Sequence, residues 1–174
     1  MTKQAFPTDP RGWIQVQKVR NGRGLVALRS FRVGQSVMVV RGKRVTADVV
    51  WRYWDRNPKR GANCFRYDAD RYIDPDGELG AYANHACDPN TGLVRRARML
   101  VLRAITTIPA GAEITHDYST LLGADDIWTM RCNCGANECR GTVRNIAKLP
   151  KATLARYRRL GVVPGFILDT VLEG

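Results

Sequence analysis

The sequence has no long hydrophobic run, since nowhere in its 174 residues do 18 apolar residues follow one another. A membrane-spanning helix is therefore not expected. No apolar stretch follows a basic start either, so we expect no secretory signal and a cytoplasmic location. Internal repeats and low-complexity tracts are also missing. With 44% hydrophobic and 25% charged residues, the chain has the composition of a globular protein, and its length suits one domain.

Negative charge is scarce outside one segment. The chain carries 28 basic and 16 acidic residues, a formal net charge of +12, and 14 basic against 3 acidic residues fall in 1–60. A basic surface favours contact with polyanions such as nucleic acid, which would place the protein at a nucleoid or nucleus. It is equally typical of ordinary soluble proteins of high pI. Residues 61–90 reverse the sign, with 6 acidic and 2 basic residues.

The five cysteines are an odd number, which argues against a disulfide framework. Three of them form the run Cys132-x-Cys134-x4-Cys139. Closely spaced cysteines on a glycine-containing loop can supply three of the four tetrahedral ligands that zinc prefers. The fourth ligand must come from elsewhere, and Cys64 and Cys87 are the candidates. The alternative is a chance grouping of thiols in a reducing compartment.

Short β-branched segments between glycine-containing turns predict a mainly β fold with peripheral helices. One helix is predicted over 47–55, capped by Thr46, and another over 151–160, opened by Pro150 and closed by Gly161 and Pro164. The predicted strands are 13–19, 24–28, 36–41, 64–67, 71–73, 92–96, 99–105 and 113–115. No alternating βαβ pattern supports a dinucleotide-binding domain, and a lone G-x-G at Gly22 falls short of that fingerprint.

Three separated motifs precede the cysteine run, and their joint order is more specific than any one of them. They are Asn21-Gly22-Arg23-Gly24, Asn84-His85-Ala86-Cys87 and Glu113-x4-Tyr118. Together with the cysteine run and Arg140-Gly141, they resemble the SET-domain protein-lysine methyltransferases that carry a post-SET zinc motif. The resemblance covers residues from about 12 to 143. It implies a β-clip SET fold with a pseudoknot, in which the Asn84-His85 segment threads beneath the loop near Tyr118.

The resemblance also implies how the chain is divided and what each part holds. The implied parts are an N-terminal tail (1–11), the SET domain (12–120), a post-SET zinc-binding segment (121–143) and a C-terminal helical extension (144–174), as in small stand-alone SET proteins. The implied activity is transfer of a methyl group from S-adenosylmethionine to a protein lysine. Tyr118 would be the catalytic tyrosine. The implied cofactor-binding residues are Arg23, Gly24, Tyr82, Asn84, His85 and Tyr118, and the implied ligands of one structural zinc ion are Cys87, Cys132, Cys134 and Cys139.

The substrate channel would be lined by His116 and Tyr67. His116 stands where the family usually has Phe or Tyr, a position that influences how many methyl groups are added, so product multiplicity stays open. Asn63 aligns with the family's usual tyrosine before Phe65, so the sequence leaves open whether Tyr67 shares the channel. His85 taken alone would be interpreted as a buried structural imidazole.

Six carboxylates lie within 21 residues, ahead of and just after the Asn84-His85 motif; they are Asp68, Asp70, Asp74, Asp76, Glu78 and Asp88. In the family this region flanks the peptide groove, so we expect it to attract a basic peptide, such as part of a nucleic-acid-associated protein. The alternative is a solvated acidic loop unrelated to substrate. The basic N-terminal region would add non-specific contact with nucleic acid.

Two other classes of function compete with a lysine methyltransferase. In one, the chain is a non-enzymatic zinc-containing module that binds nucleic acid or protein; binding of S-adenosylmethionine separates the two. In the other, a SET scaffold acts on something other than protein or is a catalytically silent reader. The sequence leaves the oligomeric state open.

Overall fold

The computed structural model describes residues 9 and 11–172. In this range the chain forms twelve strands and four α-helices. The strands are β1 (Ile14–Val19), β2 (Gly22–Ala27), β3 (Ser36–Val39), β4 (Lys43–Thr46), β5 (Phe65–Arg66), β6 (Arg71–Asp74), β7 (Asn84–His85), β8 (Thr91–Arg96), β9 (Met99–Ala104), β10 (Glu113–His116), β11 (Met130–Arg131) and β12 (Thr142–Val143). The helices are α1 (Ala47–Arg56), α2 (Pro58–Asn63), α3 (Lys151–Leu160) and α4 (Gly165–Leu172). Neither these helices nor any other in the described ranges has the length and apolarity needed to cross a membrane.

The strands form three small sheets and one two-stranded ladder, and the first sheet gathers the sequence motifs. Its order is β1-β2-β10-β7. Strand β10 runs antiparallel to β2 and parallel to β7, where Thr115 pairs with Asn84 and His116 with His85. The pairing brings the Asn84-His85 segment beside the loop at Tyr118, as the expected pseudoknot requires. The remaining sheets are β3-β9-β8 and β4-β6-β5, and β11 pairs with β12.

Strand β9 explains how the C-terminal helices join the domain. Leu100 and Leu102 point into the main hydrophobic core, whereas Val101, on the opposite face, packs into a second core. Successive side chains of a strand point to opposite faces, so an uninterrupted apolar run is typical of a strand covered on both sides. The second core includes Ile146, Tyr157, Val162 and Ile167. Residues from 146 onward therefore cover the outer face of this sheet.

A glycine sets how closely the C-terminal extension approaches the sheet. A Cβ atom added to Gly92 of β8 would lie 2.4 Å from the Cβ of Val162, in the turn between α3 and α4. No side chain fits in that space. Arg103 of β9 donates a hydrogen bond to the carbonyl of Leu160, and Arg156 pairs with Asp88 at 3.0 Å. The C-terminal extension is thus docked on the β-sheets through packing, a hydrogen bond and an ion pair.

The predicted mainly β fold with peripheral helices is confirmed. Helices α1 and α3 lie within one residue of their predicted bounds. Thr46 occupies the N-cap of α1 but makes no side-chain capping bond. Pro164, expected to end a helix, instead stands directly before α4. The sequence did not predict the short elements β4, β7, β11, β12, α2 and α4, because segments of two to eight residues carry little periodicity.

Candidate functional site

The glycine motif lies directly against Asn84. The side-chain amide of Asn84 donates hydrogen bonds to the carbonyl of Arg23 at 3.0 Å and to Oε1 of Glu113 at 2.8 Å. A Cβ on Gly24 would lie 2.4 Å from that Glu113 oxygen and 2.9 Å from the Asn84 nitrogen. Gly24 is therefore needed for a close approach, and the groups approaching it belong to the chain itself. Glu113 belongs to the Glu113-x4-Tyr118 motif, and the sequence alone indicated no role for its side chain.

His85 holds the backbone at Tyr118. Its Nδ1 accepts a hydrogen bond from the backbone N–H of Tyr118 at 3.2 Å, and its Nε2 lies 3.4 Å from Sγ of Cys87. Burial lowers the pKa of His85 to about 4, although nearby Asp117 acts to raise it. A neutral ring with an accepting Nδ1 carries its proton on Nε2, facing the cysteine. His85 is thus a buried structural imidazole that contacts both Tyr118 and Cys87.

The hydroxyl of Tyr118 is fixed by one hydrogen bond, which it donates to the carbonyl of Ala83 at 2.9 Å. Its ring centre lies 5.3 Å from that of His85 and 4.9 Å from that of His116. Burial is the main cause that raises the pKa of Tyr118 above its usual value of 10.0, and the Glu113 carboxylate adds to it. Tyr118 therefore stays a neutral phenol at physiological pH.

Tyr118 and His116 face a cavity of about 680 Å³. Helices α1 and α2 form one side of it and the segment 121–128 forms another. Large apolar side chains dominate the walls: Trp51, Trp54, Leu121, Leu122, Ile127 and Trp128. Charged lining side chains are limited to Arg66, Asp125 and Asp126 among the residues described. The polar groups of Tyr118 and His116 are thus set among largely apolar walls.

His116 lines this cavity. Its imidazole stacks on Phe65, with ring centres 5.4 Å apart and planes 25° apart. Burial, together with a smaller effect of the neighbouring His85, lowers the pKa of His116 to about 3. Its Nδ1 is buried and has no hydrogen-bond partner in the described part of the chain. His116 therefore acts as a neutral aromatic wall.

The placement of Tyr67 needs correction. Tyr67 is buried, but it does not line the cavity. Its hydroxyl donates to the carbonyl of Arg98 at 3.0 Å. The guanidinium groups of Arg44 and Arg95 lie 4.5 and 4.7 Å from its ring centre. Asn63, the position that aligns with the family's tyrosine, lines the cavity instead.

A buried carboxylate beside Tyr118 joins three parts of the chain. Asp117 is 1% exposed. It accepts two hydrogen bonds from the guanidinium of Arg140, at 2.7 and 2.8 Å, one from the hydroxyl of Tyr157 at 3.0 Å, and one from the backbone N–H of Ser119 at 3.0 Å. Tyr157 lies on α3, so the C-terminal extension reaches the residue next to Tyr118. Nothing in the sequence singled out Tyr157 for this contact.

The cysteine cluster has the composition and spacing of a zinc site. The Sγ atoms of Cys87, Cys132, Cys134 and Cys139 all lie within 4.8 Å of one another. Those of Cys87 and Cys132 are 3.7 Å apart, close to the edge of about 3.8 Å expected for a tetrahedron of sulfurs around zinc. Cys64 is outside the cluster, and its thiol donates to the carbonyl of Arg60 at 3.4 Å. Cys87, not Cys64, is thus the fourth member.

The carboxylates of the acidic segment, residues 68–88, lie mostly in ion pairs within the chain. Asp74 and Asp76 both pair with Arg60, at 2.7 and 3.0 Å. Asp68 pairs with Arg71 at 2.5 Å and Asp88 with Arg156 at 3.0 Å. None of the six carboxylates lines the cavity. Four of the six carboxylates are therefore paired within the chain, with three arginines, and none of the six faces the cavity that contains Tyr118.

Comparison with known proteins identifies a family that matches the part of the chain containing Asn84 and Tyr118. The SET domain family matches residues 22–119. The yeast protein "Histone-lysine N-methyltransferase, H3 lysine-4 specific" from Saccharomyces cerevisiae is 32% identical over 127 residues, 68% of this chain and 12% of the relative. The human "Histone-lysine N-methyltransferase 2B" is 29% identical over 131 residues, 69% of this chain and 5% of the relative. The Drosophila melanogaster "Histone-lysine N-methyltransferase trr" is 32% identical over 129 residues, again 68% of this chain and 5% of the relative.

The chain thus corresponds to a small part of each of these three relatives, at most 12% of their length. The matched range runs from the turn at Gly22 to just past Tyr118. It contains the strands that bring the glycine motif, Asn84 and Tyr118 together. Because that match covers more than half of the 174 residues, the chain belongs to the SET-domain family.

Proposed function

We propose that this protein is a protein-lysine N-methyltransferase that uses S-adenosylmethionine as its methyl donor. The observation that carries the proposal is the meeting of three features in one place: the Asn84 cradle at Gly24, the fixed hydroxyl of Tyr118 and an apolar cavity in front of it. The names of the SET-domain relatives, which describe histone-lysine N-methyltransferases, support the same reaction.

The groups around Gly24 fit the amino-acid end of S-adenosylmethionine. The amide of Asn84 and the carbonyl of Arg23 lie together with the Glu113 carboxylate, at the point where a Cβ on Gly24 would collide. The Arg23 carbonyl and the Glu113 carboxylate are acceptors of the kind that complement the ammonium of that end. We propose that Arg23, Gly24, Tyr82, Asn84 and His85 hold the cofactor. When bound, it supplies a methyl group on a positively charged sulfur.

The chain's own residues would prepare the lysine. A lysine amine must lose its proton to act as a nucleophile, which at pH 7 costs about 4.6 kcal/mol for a free lysine. An apolar cavity disfavours the charged ammonium and so lowers that cost. The neutral wall of His116 and Phe65 has this effect. The oxygen of Tyr118, held by the Ala83 carbonyl, would accept a hydrogen bond from the amine and orient it.

The four clustered cysteines support a structural zinc ion as a second bound group. A zinc ion would tie the 132–139 loop to Cys87, which follows His85 by two residues. The backbone N–H of Arg140 donates to Sγ of Cys87 at 3.4 Å, an arrangement that stabilises a thiolate. Zinc binding of this type contributes directly to folding.

For the substrate, we propose a lysine in a basic protein. The support comes from the relatives, whose printed names specify histones, and not from the acidic segment. The net charge of +12 supports additional non-specific contact with nucleic acid, which would bring enzyme and substrate together.

The test is transfer of labelled methyl groups from S-adenosylmethionine to histones and to a cell lysate, with the full-length chain. Tyr118→Phe should lower turnover about 100-fold or more, because a positioned polar group at the reacting atoms is lost. Calorimetry should find that this variant still binds the cofactor. A chain that binds no S-adenosylmethionine would favour the non-enzymatic zinc module, and full activity of Tyr118→Phe would show that the catalytic tyrosine is misassigned.

A further inference from the structure

The cavity in front of Tyr118 is much larger than one lysine side chain. It encloses about 680 Å³. If each of the five heavy atoms of a lysine side chain takes the room of a water molecule, about 30 Å³, the side chain fills about 150 Å³. Most of the cavity is therefore left for the residues next to the target lysine. Its remaining walls then select what those residues are.

Those walls contain few groups that could pair with a charged side chain next to the target lysine. Of the three charged side chains that line the cavity, Arg66 and Asp126 pair with each other at 3.2 Å. Asp125 is exposed and forms no ion pair within the described part of the chain, in a protein of net charge +12. The other large lining side chains are apolar or uncharged, and a charged group moved among them would lose its hydration without a matching opposite charge.

The apolar walls are held in place before any substrate arrives. The ring of Trp54 packs on the backbone of Gly61, where a Cβ would lie 3.0 Å from it, and its centre is 6.4 Å from that of Trp128. The opposite wall, 121–128, is fixed from behind. Asn145 donates to the carbonyls of Ala124 and Asp126 at 2.9 and 2.8 Å. Little ordering is then needed when a ligand binds.

Two apolar side chains at this cavity remain open to solvent. Trp51 is 65% exposed and Ile127 is 94% exposed. Exposed apolar side chains that flank a preformed apolar cavity mark a binding surface, because covering them removes unfavourable contact with water. Since the same cavity contains Tyr118, its occupant is the peptide segment that carries the target lysine.

We infer that this segment places a large apolar side chain, of the leucine or phenylalanine kind, beside the target lysine, and that Trp51, Trp128 and Ile127 receive it. The inference rests on the proposed function and adds its sequence preference. Burying one such side chain favours binding by about 10- to 100-fold over a small polar one.

The experiment uses the full-length chain and a glycine-serine peptide with one lysine. The residue on either side of that lysine is varied among Leu, Phe, Arg and Ser. Calorimetry without methyl donor measures binding, and labelled S-adenosylmethionine measures kcat/KM. Trp51→Ala removes an exposed wall residue, and Met99→Ala, 48% exposed on β9 and away from this cavity, is the matched control.

Peptides with Leu or Phe beside the lysine should bind at least about tenfold more tightly than peptides with Ser. In Trp51→Ala this preference should fall to about threefold or less, whereas in Met99→Ala it should persist. Tightest binding of Arg peptides, equal binding of all four, or an unchanged preference in Trp51→Ala would each overturn the inference. If binding shows the preference while no peptide or histone is methylated, the preference of the cavity for an apolar side chain stands and the proposed reaction fails.

Discussion

Acidification from about pH 7.5 to about pH 5.5 should destabilise the wild-type protein by about 1.4 kcal/mol more than a His116→Phe variant. His116 is buried, stacks on Phe65 and has its pKa lowered to about 3, whereas in the unfolded chain a histidine titrates near 6.5. The folded state therefore resists protonation and the unfolded state accepts it. The stability that the neutral ring contributes is fully present above pH 6.5 and is lost as the pH falls toward 3.

The expected loss of about 1.4 kcal/mol comes from protonation of the histidine in the unfolded chain. Between these two pH values the unfolded histidine changes from about one-tenth to about nine-tenths protonated, while the folded one stays neutral. Phenylalanine keeps the stacking on Phe65 and cannot titrate. Both proteins retain His85 and the four clustered cysteines, so acid release of a metal affects them alike. Urea unfolding at the two pH values gives the difference. Equal losses in both proteins would show that His116 is protonated or solvated in the folded state.

Four further predictions concern the cofactor cradle, the metal and the C-terminal extension. Asn84→Ala should weaken S-adenosylmethionine binding about tenfold by calorimetry, since the bonds that shape the cradle at Gly24 are lost; unchanged affinity would move the cofactor elsewhere. Cys87→Ser should lose zinc in metal analysis while Cys64→Ser keeps it, and full zinc in both would exclude Cys87 as a ligand. Tyr157→Phe should cost about 1 kcal/mol of stability by removing one hydrogen bond to the buried Asp117. It should also lower kcat while KM changes less, and an unchanged kcat would show that this contact has no effect on catalysis. Gly92→Ala should destabilise the protein by about 1–3 kcal/mol in urea unfolding, because its methyl group would overlap Val162; a neutral effect would mean that the extension is loosely docked.

Local patterns predicted a large part of the site. The cysteine run and the spacing from Glu113 to Tyr118 are set by the chain within a few residues, so their geometry could be anticipated. The same holds for α1 and α3, whose caps and turn residues lie next to them. Cys87 could be chosen over Cys64 only through the family resemblance, since both are distant from the run.

The errors arose where partners are far apart in the sequence. Counting carboxylates gave the charge of the acidic segment, but not that Asp88 pairs with Arg156, 68 residues away. For Tyr67, strand β5 ends at Arg66, so alternation along the strand gives no direction for its side chain. Tyr157 reaches Asp117 across 40 residues. Contacts of this kind follow from tertiary packing, which a single sequence does not reveal.

The contact between Tyr157 and Asp117 has a consequence for how the protein is made. Translation proceeds from the N-terminus, and the glycine motif, Asn84 and Tyr118 are all synthesised before α3 exists. Until residues up to Val162 have left the ribosome, Asp117 lacks one of its donors and β8 lacks the side chain that covers Gly92. The surroundings of Tyr118 are therefore completed late in synthesis, so a nascent chain that already carries every sequence motif still lacks the contacts that fix the residue next to Tyr118.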